Sequence, residues 1–263
     1  MGLVRTPEEM ARIEATLRSP RFVNAEMLQV EFLTRPDTVA HVLPPGLEPA
    51  SEPLVVAMVG RWQSNCVADY EGGALYVAAR HGDVEATYVL AMYMTTDQAI
   101  IVGRELFGEP KKQCTTGLNR GGDRMTGWVE RHGVRLIELE AELPTDNGPG
   151  ETAGANFNVK AWPSCTGEGL EDDAILTLAE FDLKLTASRE GTGSVRLRGT
   201  PHDPLDEIEV VSVVRATYIE GDLLARARPL ARIPASEYAP YAYGRMDDWS
   251  LLDTTVSPLA ASA

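Results

Sequence analysis

At 263 residues, 44% of them hydrophobic, the chain is long enough for one large domain or two small ones around a substantial core. Its 39 acidic against 24 basic residues leave a net charge of −15, which argues against nucleic acid and anionic membrane surfaces as partners. Three scattered cysteines, Cys66, Cys114 and Cys165, lack CxxC spacing and a secretory leader and suggest reduced thiols in the cytoplasm, and no apolar run approaches the ~18 residues of a membrane span.

Thr6-Pro7-Glu8-Glu9 predicts a helix start, with Thr6 as N-cap, Pro7 at the first helical position and Glu9 closing a capping box. Met10, Ile13 and Leu17 mark its apolar face, and Ser19-Pro20 stops it. The pattern then turns to strands, over Met27–Leu33 and a short element from Asp37 to Leu43. Leu54–Val59 is a nearly continuous apolar run, as expected of a strand buried on both faces. Ala74–Ala79 and Ala86–Met94 flank the hairpin signal His81-Gly82-Asp83, and apolar Gln98–Val102 reads as a strand feeding the segment Gly103–Gln113. Met125–Glu130 and Val134–Glu142 follow the turn Gly121-Gly122-Asp123, the second with its acidic residues on one face. Pro144–Gly154 is the most linker-like stretch. Phe157–Ala161, Ala174–Leu185, Ser194–Arg198 and Val210–Ala227 fit further strands, Ala225–Arg232 alternates as a strand with one wet face, and Ser257–Ala263 is expected to fray. Many short strands and few long helical periods favour a β-rich barrel or double-sheet architecture in one domain over 1–263. The histidines His41, His81, His132 and His202 lack HxH and HExxH spacing, so no metal site is expected.

The chain has four lysines against twenty arginines, and two of the lysines, Lys111 and Lys112, are adjacent. Arginine stays protonated, whereas a lysine can be made neutral by its surroundings and then attack a carbonyl. A free lysine titrates near 10.4, and lowering that by about four units costs roughly 5–6 kcal/mol of differential interaction. Burial in an apolar pocket or a neighbouring cation can supply it. In an extended segment, successive side chains face opposite ways, so burial is expected to dominate over the Lys112 charge. Phe22, Met92 and Phe107 are candidate apolar walls, and Trp62 and Gln113 further pocket residues.

The string Ala99-Ile-Ile-Val-Gly-Arg-Glu-Leu-Phe-Gly-Glu-Pro-Lys-Lys112 closely resembles the signature of the acetoacetate decarboxylase family. The likeness extends through Met92-Tyr93 and Asp69-Tyr70-Glu71, and more faintly through Phe157–Pro163 and Ser194–Leu230. The resemblance implies an α+β, mostly β fold, a double-sheet or closed β-barrel with a few short helices, assembled as a homo-oligomer. It implies Lys111 as the Schiff-base nucleophile, a device that acetoacetate decarboxylase itself is known to use. Glu71 is carried over as a proton shuttle or carboxylate positioner, and Arg104-Glu105 as a structural pair. The sequence departs from the family pattern at three places: Ala25 stands for an arginine thought to face the substrate carboxylate, Val56 for a second glutamate, and Glu109 for an aromatic residue. A related branch of the superfamily runs aldolase–dehydratase chemistry on pyruvate and an aldehyde, for which the tail tyrosines Tyr238, Tyr241 and Tyr243 are candidate phenols.

The expectation is a lyase that forms a covalent imine on Lys111 with a small keto acid and needs no cofactor, with an aldehyde as co-substrate in the aldolase–dehydratase alternative. A non-catalytic binding module for small carbonyl compounds is the alternative of a different class.

Overall fold

The computed structural model describes residues 2–252. Helix α1 (Pro7–Leu17) begins with the expected capping box, Thr6 Oγ1 accepting from the Glu9 amide at 3.3 Å while Glu9 Oε2 accepts from the Thr6 amide at 3.1 Å. Its apolar face is not covered, and Met10 and Ile13 stay exposed. Strand β1 (Arg21–Leu33) follows, then α2 (Pro36–Val42), β2 (Glu48–Pro49), β3 (Leu54–Ser64), β4 (Ala68–His81) and β5 (Val84–Met94). The chain continues through α3 (Asp97–Val102), a π-helical turn (Gly103–Phe107), β6 (Lys111–Gln113), β7 (Thr115–Gly121), β8 (Arg124–Arg131), β9 (Val134–Asp146) and β10 (Gly150–Lys160). It ends with β11 (Ala174–Leu197), the short pair β12 (Gly199–Thr200) and β13 (Asp203–Pro204), β14 (Ser212–Ile233) and α4 (Ala235–Gly244). The stretch Ser257–Ala263, expected to fray, lies outside the described residues.

Strands β10, β5, β4, β3, β1, β14 and β11 pair in that order, and β11 pairs back with β10, so the sheet closes into a seven-stranded barrel. Closure removes the two free edges that an open sheet would present. The long β11 serves two layers: residues 175–185 pair with β10, and residues 189–197 pair with β9. From there β9, β8 and β7 continue as a second sheet that packs over the outer faces of β3 and β4.

This double use explains why β1, β3 and β4 are apolar on both faces. Side chains alternate along a strand, so Val55, Ala57 and Val59 of β3 enter the interlayer core with Leu75 and Val77 of β4 and Val129, Leu136 and Ile137 of the second sheet. The alternate residues Met58, Trp62, Tyr70 and Ala74, with Met27 of β1 and Met92 of β5, form a separate cluster on the barrel's inner side.

Three expected features are corrected. Asp37–Leu43 is helical rather than extended, with Pro36 at the start of α2 fixing a φ suited to its first turn. Gln98–Val102 is not a strand but most of α3, because β6 runs parallel to β5 and a parallel neighbour requires a crossover. Pro144–Gly154 is not a linker: β9 and β10 run through it on either side of a short break at 147–149, both paired along β11. No helix among the described residues is long and apolar enough to cross a membrane.

Candidate active site

The segment after β5 builds the site. Helix α3 runs into the π-helical turn, in which the Gly108 amide donates to the Gly103 carbonyl at 3.1 Å, and Gly108 ends the turn at φ +83°. A side chain at Gly108 would meet the Lys160 backbone, so the sharp exit depends on glycine. The chain then reverses across Pro110, with the Lys111 amide donating to the Glu109 carbonyl at 2.8 Å, and enters β6 beside Met92–Met94. Three contacts pin this turn: Arg104 donates to the Lys111 carbonyl at 3.1 Å, Thr177 Oγ1 to the Phe107 carbonyl at 2.7 Å, and Arg245 to the Gly108 carbonyl.

The reversal aims Glu109 and Lys111 into the barrel together. Lys111 Nζ lies 2.7 Å from Glu109 Oε2, and both side chains are about nine-tenths buried, at 9% and 11% exposure. Oε2 makes no well-angled hydrogen bond, so the contact is an ion pair by proximity. Gly103 forms the floor beneath it, and a methyl group there would come within 2.5 Å of Nζ.

The pair faces a cavity of about 500 Å³ enclosed by the barrel strands. Phe22, Trp62, Met92 and Phe107 all line it. So does Val56, while Ala25 is buried in the apolar cluster on the same side of β1. The phenols of Tyr70 and Tyr76 also face the cavity. Burial, reinforced by the Glu109 carboxylate, pushes the Tyr70 hydroxyl well above the ordinary tyrosine value and raises Tyr76 in the same direction. Both are therefore neutral hydroxyls at any physiological pH. Tyr70 stacks on Trp62 with centroids 5.1 Å apart, and the Lys111 ammonium lies 5.9 Å from the Tyr70 ring centre. Glu109 and Lys111 are the only charged residues lining the cavity among those described.

Several expected members stand elsewhere. Glu71 shares the face of β4 that carries Leu75 and Val77, and its carboxylate accepts from Thr116 Oγ1 of β7 at 2.8 Å. Strand alternation puts its neighbour Tyr70 in the cavity and turns Glu71 away, so the glutamate that meets the lysine is Glu109. Gln113 is exposed and does not line the cavity. Tyr241 stacks on Tyr238 in α4 at 5.9 Å, and Tyr243 donates to the Gly169 carbonyl at 3.2 Å, so neither tail phenol reaches Lys111. Lys112 points to the opposite side of β6, where it donates to Asp203 at 2.9 Å and to the His202 carbonyl at 2.6 Å and pairs with Asp247 at 3.1 Å. With two carboxylates beside it, its charge is compensated where it stands.

Tyr70 and Tyr76 are the site residues missed from the sequence. The signal was present: counting in twos from Ala74, on the lumen side of β4, reaches Tyr76 in one direction and Tyr70 in the other.

Comparison with known proteins agrees with this geometry. The family model described as acetoacetate decarboxylase (ADC) matches residues 4–233. An acetoacetate decarboxylase of Burkholderia cenocepacia is 27% identical over 209 residues, covering 77% of this chain and 84% of that one. The crystal structure of acetoacetate decarboxylase from Legionella pneumophila superposes with a TM-score of 0.74 at 22% identity, over 81% of this chain and 87% of that one. The enduracididine biosynthesis enzyme MppR, complexed with the condensation product of pyruvate and imidazole 4-carboxaldehyde, superposes with a TM-score of 0.71 at 16% identity, over 81% of this chain and 89% of that one. The chain belongs to the acetoacetate decarboxylase family.

Proposed function

We propose that the protein is a lyase in which Lys111 forms a Schiff base with the carbonyl carbon of a keto acid. The observation that carries this reading is the buried Lys111–Glu109 pair, 2.7 Å apart and facing an apolar cavity. An amine attacks a carbonyl only when neutral, and the adjacent carboxylate can take the Nζ proton without releasing it to water. Attack makes the C–N bond and moves the carbonyl π pair to oxygen. The new ammonium nitrogen gives one proton to that oxygen and Glu109 returns the one it took, so the oxygen leaves as water and the nitrogen lone pair closes the iminium. The resulting iminium is the electron sink. In decarboxylation it accepts the pair of the broken C–CO₂ bond, CO₂ departs, and the enamine is protonated and hydrolysed. The imine itself supplies this chemistry, so the reading calls for no cofactor.

A second reading, aldolase–dehydratase chemistry, is favoured by the composition of the cavity. Glu109 stands beside Lys111, where it could take a proton from the carbon next to the imine, a step that aldol chemistry needs and decarboxylation does not. The complex of MppR with a pyruvate–aldehyde condensation product is the precedent for such chemistry on this fold.

Borohydride reduction in the presence of acetoacetate, and separately pyruvate, tests the proposal. The expected result is a reduced adduct on Lys111 by peptide mapping, absent in Lys111→Ala. Release of CO₂ from acetoacetate selects the first reading. An adduct with pyruvate and no CO₂ from acetoacetate selects the second. No adduct with either, nor with a longer-chain keto acid, would leave only a binding module.

A further inference from the structure

From the space around Lys111 we infer that the natural substrate carries an extended apolar chain or ring beyond its reacting carbonyl. The inference rests on the Schiff-base reading and adds to it the part of the substrate that does not react.

Size is the first ground. Even at the ~30 Å³ that a water molecule takes in the liquid, the seven heavy atoms of acetoacetate would occupy about 200 Å³. The cavity measures about 500 Å³. The surplus would hold on the order of ten further non-hydrogen atoms.

Shape is the second. Lys111 sits level with Met92 on β5, and the same cavity reaches back along that strand to Thr87. At ~3.3 Å per residue those five positions span about 16 Å. Thr152, Ala153 and Gly154 of β10 line the cavity and are exposed, which makes that stretch its rim. The reacting pair therefore lies deep in a long chamber.

Chemistry is the third. The walls along the chamber are supplied by Met27, Met58, Met94, Phe181, Leu183 and Ile219. Thioethers are unbranched and polarizable, and they adapt to irregular apolar ligands. The polar groups at the far end are neutral, Thr87 Oγ1 donating to Asn156 Oδ1 at 2.7 Å. A charged group held among these residues would lose its hydration without gaining a partner, whereas an alkyl chain or ring loses nothing.

The test uses the full chain, borohydride and two matched pairs of probes: acetoacetate against 3-oxodecanoate, and pyruvate against 2-oxodecanoate. Trapping forms one C–N bond with loss of water, and hydride from borohydride then reduces the iminium to a secondary amine on Lys111. The half-saturating concentration for trapping is expected to fall at least tenfold from the short to the long member of each pair, since a fully buried methylene is worth up to about fourfold. Leu223→Trp, at a half-buried position of the cavity wall, is expected to cut that gain far more than it changes trapping of acetoacetate. Equal trapping of short and long probes by the parent, or a chain-length preference unaltered in Leu223→Trp, overturns the inference and leaves the imine reading standing. Absence of an adduct with all four probes overturns the imine reading and this inference with it.

Discussion

In the proposed chemistry Glu109 is the pivotal residue, because its carboxylate is the one within reach of Nζ. Glu109→Gln keeps the size and removes the base. Turnover near neutral pH is expected to fall by about 10²–10⁴-fold, the usual contribution of a positioned proton carrier. Imine formation should recover as pH rises, because the amine can then lose its proton to solvent. Parent-level turnover in Glu109→Gln would remove Glu109 from the mechanism. The sequence carried Lys111 and Glu109 in one recognisable string, yet the resemblance directed attention to Glu71. Alternation along β4 was the better guide: Tyr70 and Glu71 are neighbours, so only one of them can face the barrel interior. That Glu109 meets Lys111 was legible only for the wrong reason, since residues two apart would point alike in a regular strand, while here the alignment comes from a backbone reversal at Pro110. Gly103 was legible as a motif glycine, but its purpose, to leave room for the pair, appears only when the turn is closed.

At the scale of elements, β6 separates the two lysines by strand alternation and gives each its own surroundings. Behind it Asp203, 2% exposed at its side chain, accepts from Lys112 at 2.9 Å, Arg131 at 2.6 Å and Tyr93 at 3.1 Å. Asp247 completes the cluster. Burial works against its ionisation, but the Arg131 hydrogen bond and the ion pair with Lys112 prevail and hold its carboxyl well below the usual carboxylate range. Removing one member of such a network leaves a buried charge short of a partner, at about 3–5 kcal/mol. Asp203→Ala should therefore melt roughly 6–20 °C below the parent in a calorimetric scan. Lys112→Ala is expected to keep the Lys111 adduct in borohydride trapping, because the Lys112 charge is neutralised on the far side of the strand. Loss of that adduct near neutral pH, with recovery at high pH, would show instead that the two lysines are electrostatically coupled. Strands and hairpins were legible because period-two alternation and turn residues are local signals. The crossover at α3 was not, because Gln98–Val102 is too short for periodicity to separate helix from strand, and the parallel register of β6 decides the matter.

At the scale of the whole molecule, closing the barrel and covering it with a second sheet buries phenols throughout the structure. Tyr70, Tyr76, Tyr88, Tyr93 and Tyr218 are all raised above the ordinary tyrosine value by burial first, with neighbouring carboxylates or phenols adding to the effect. In the unfolded chain these hydroxyls ionise near pH 10. A group whose folded value lies above its unfolded value contributes fully at lower pH and loses that contribution once the unfolded form begins to ionise. These five tyrosines therefore leave stability untouched through neutral pH and erode it above about pH 10. Each erodes it by about 1.4 kcal/mol per pH unit, so together they remove roughly 7 kcal/mol per unit. Against a total of about 5–15 kcal/mol for a typical fold, that predicts cooperative unfolding within about one to two pH units above 10. The measurement is a pH titration that follows phenolate absorbance and far-ultraviolet circular dichroism in the same sample. Five of the eight tyrosines should stay protonated past the ordinary value and then ionise together as the sheet signal collapses. A smooth titration of all eight near pH 10 with the sheet signal intact would mean that the barrel admits water to its phenols, and with it to the lysine that the proposed imine chemistry needs dry.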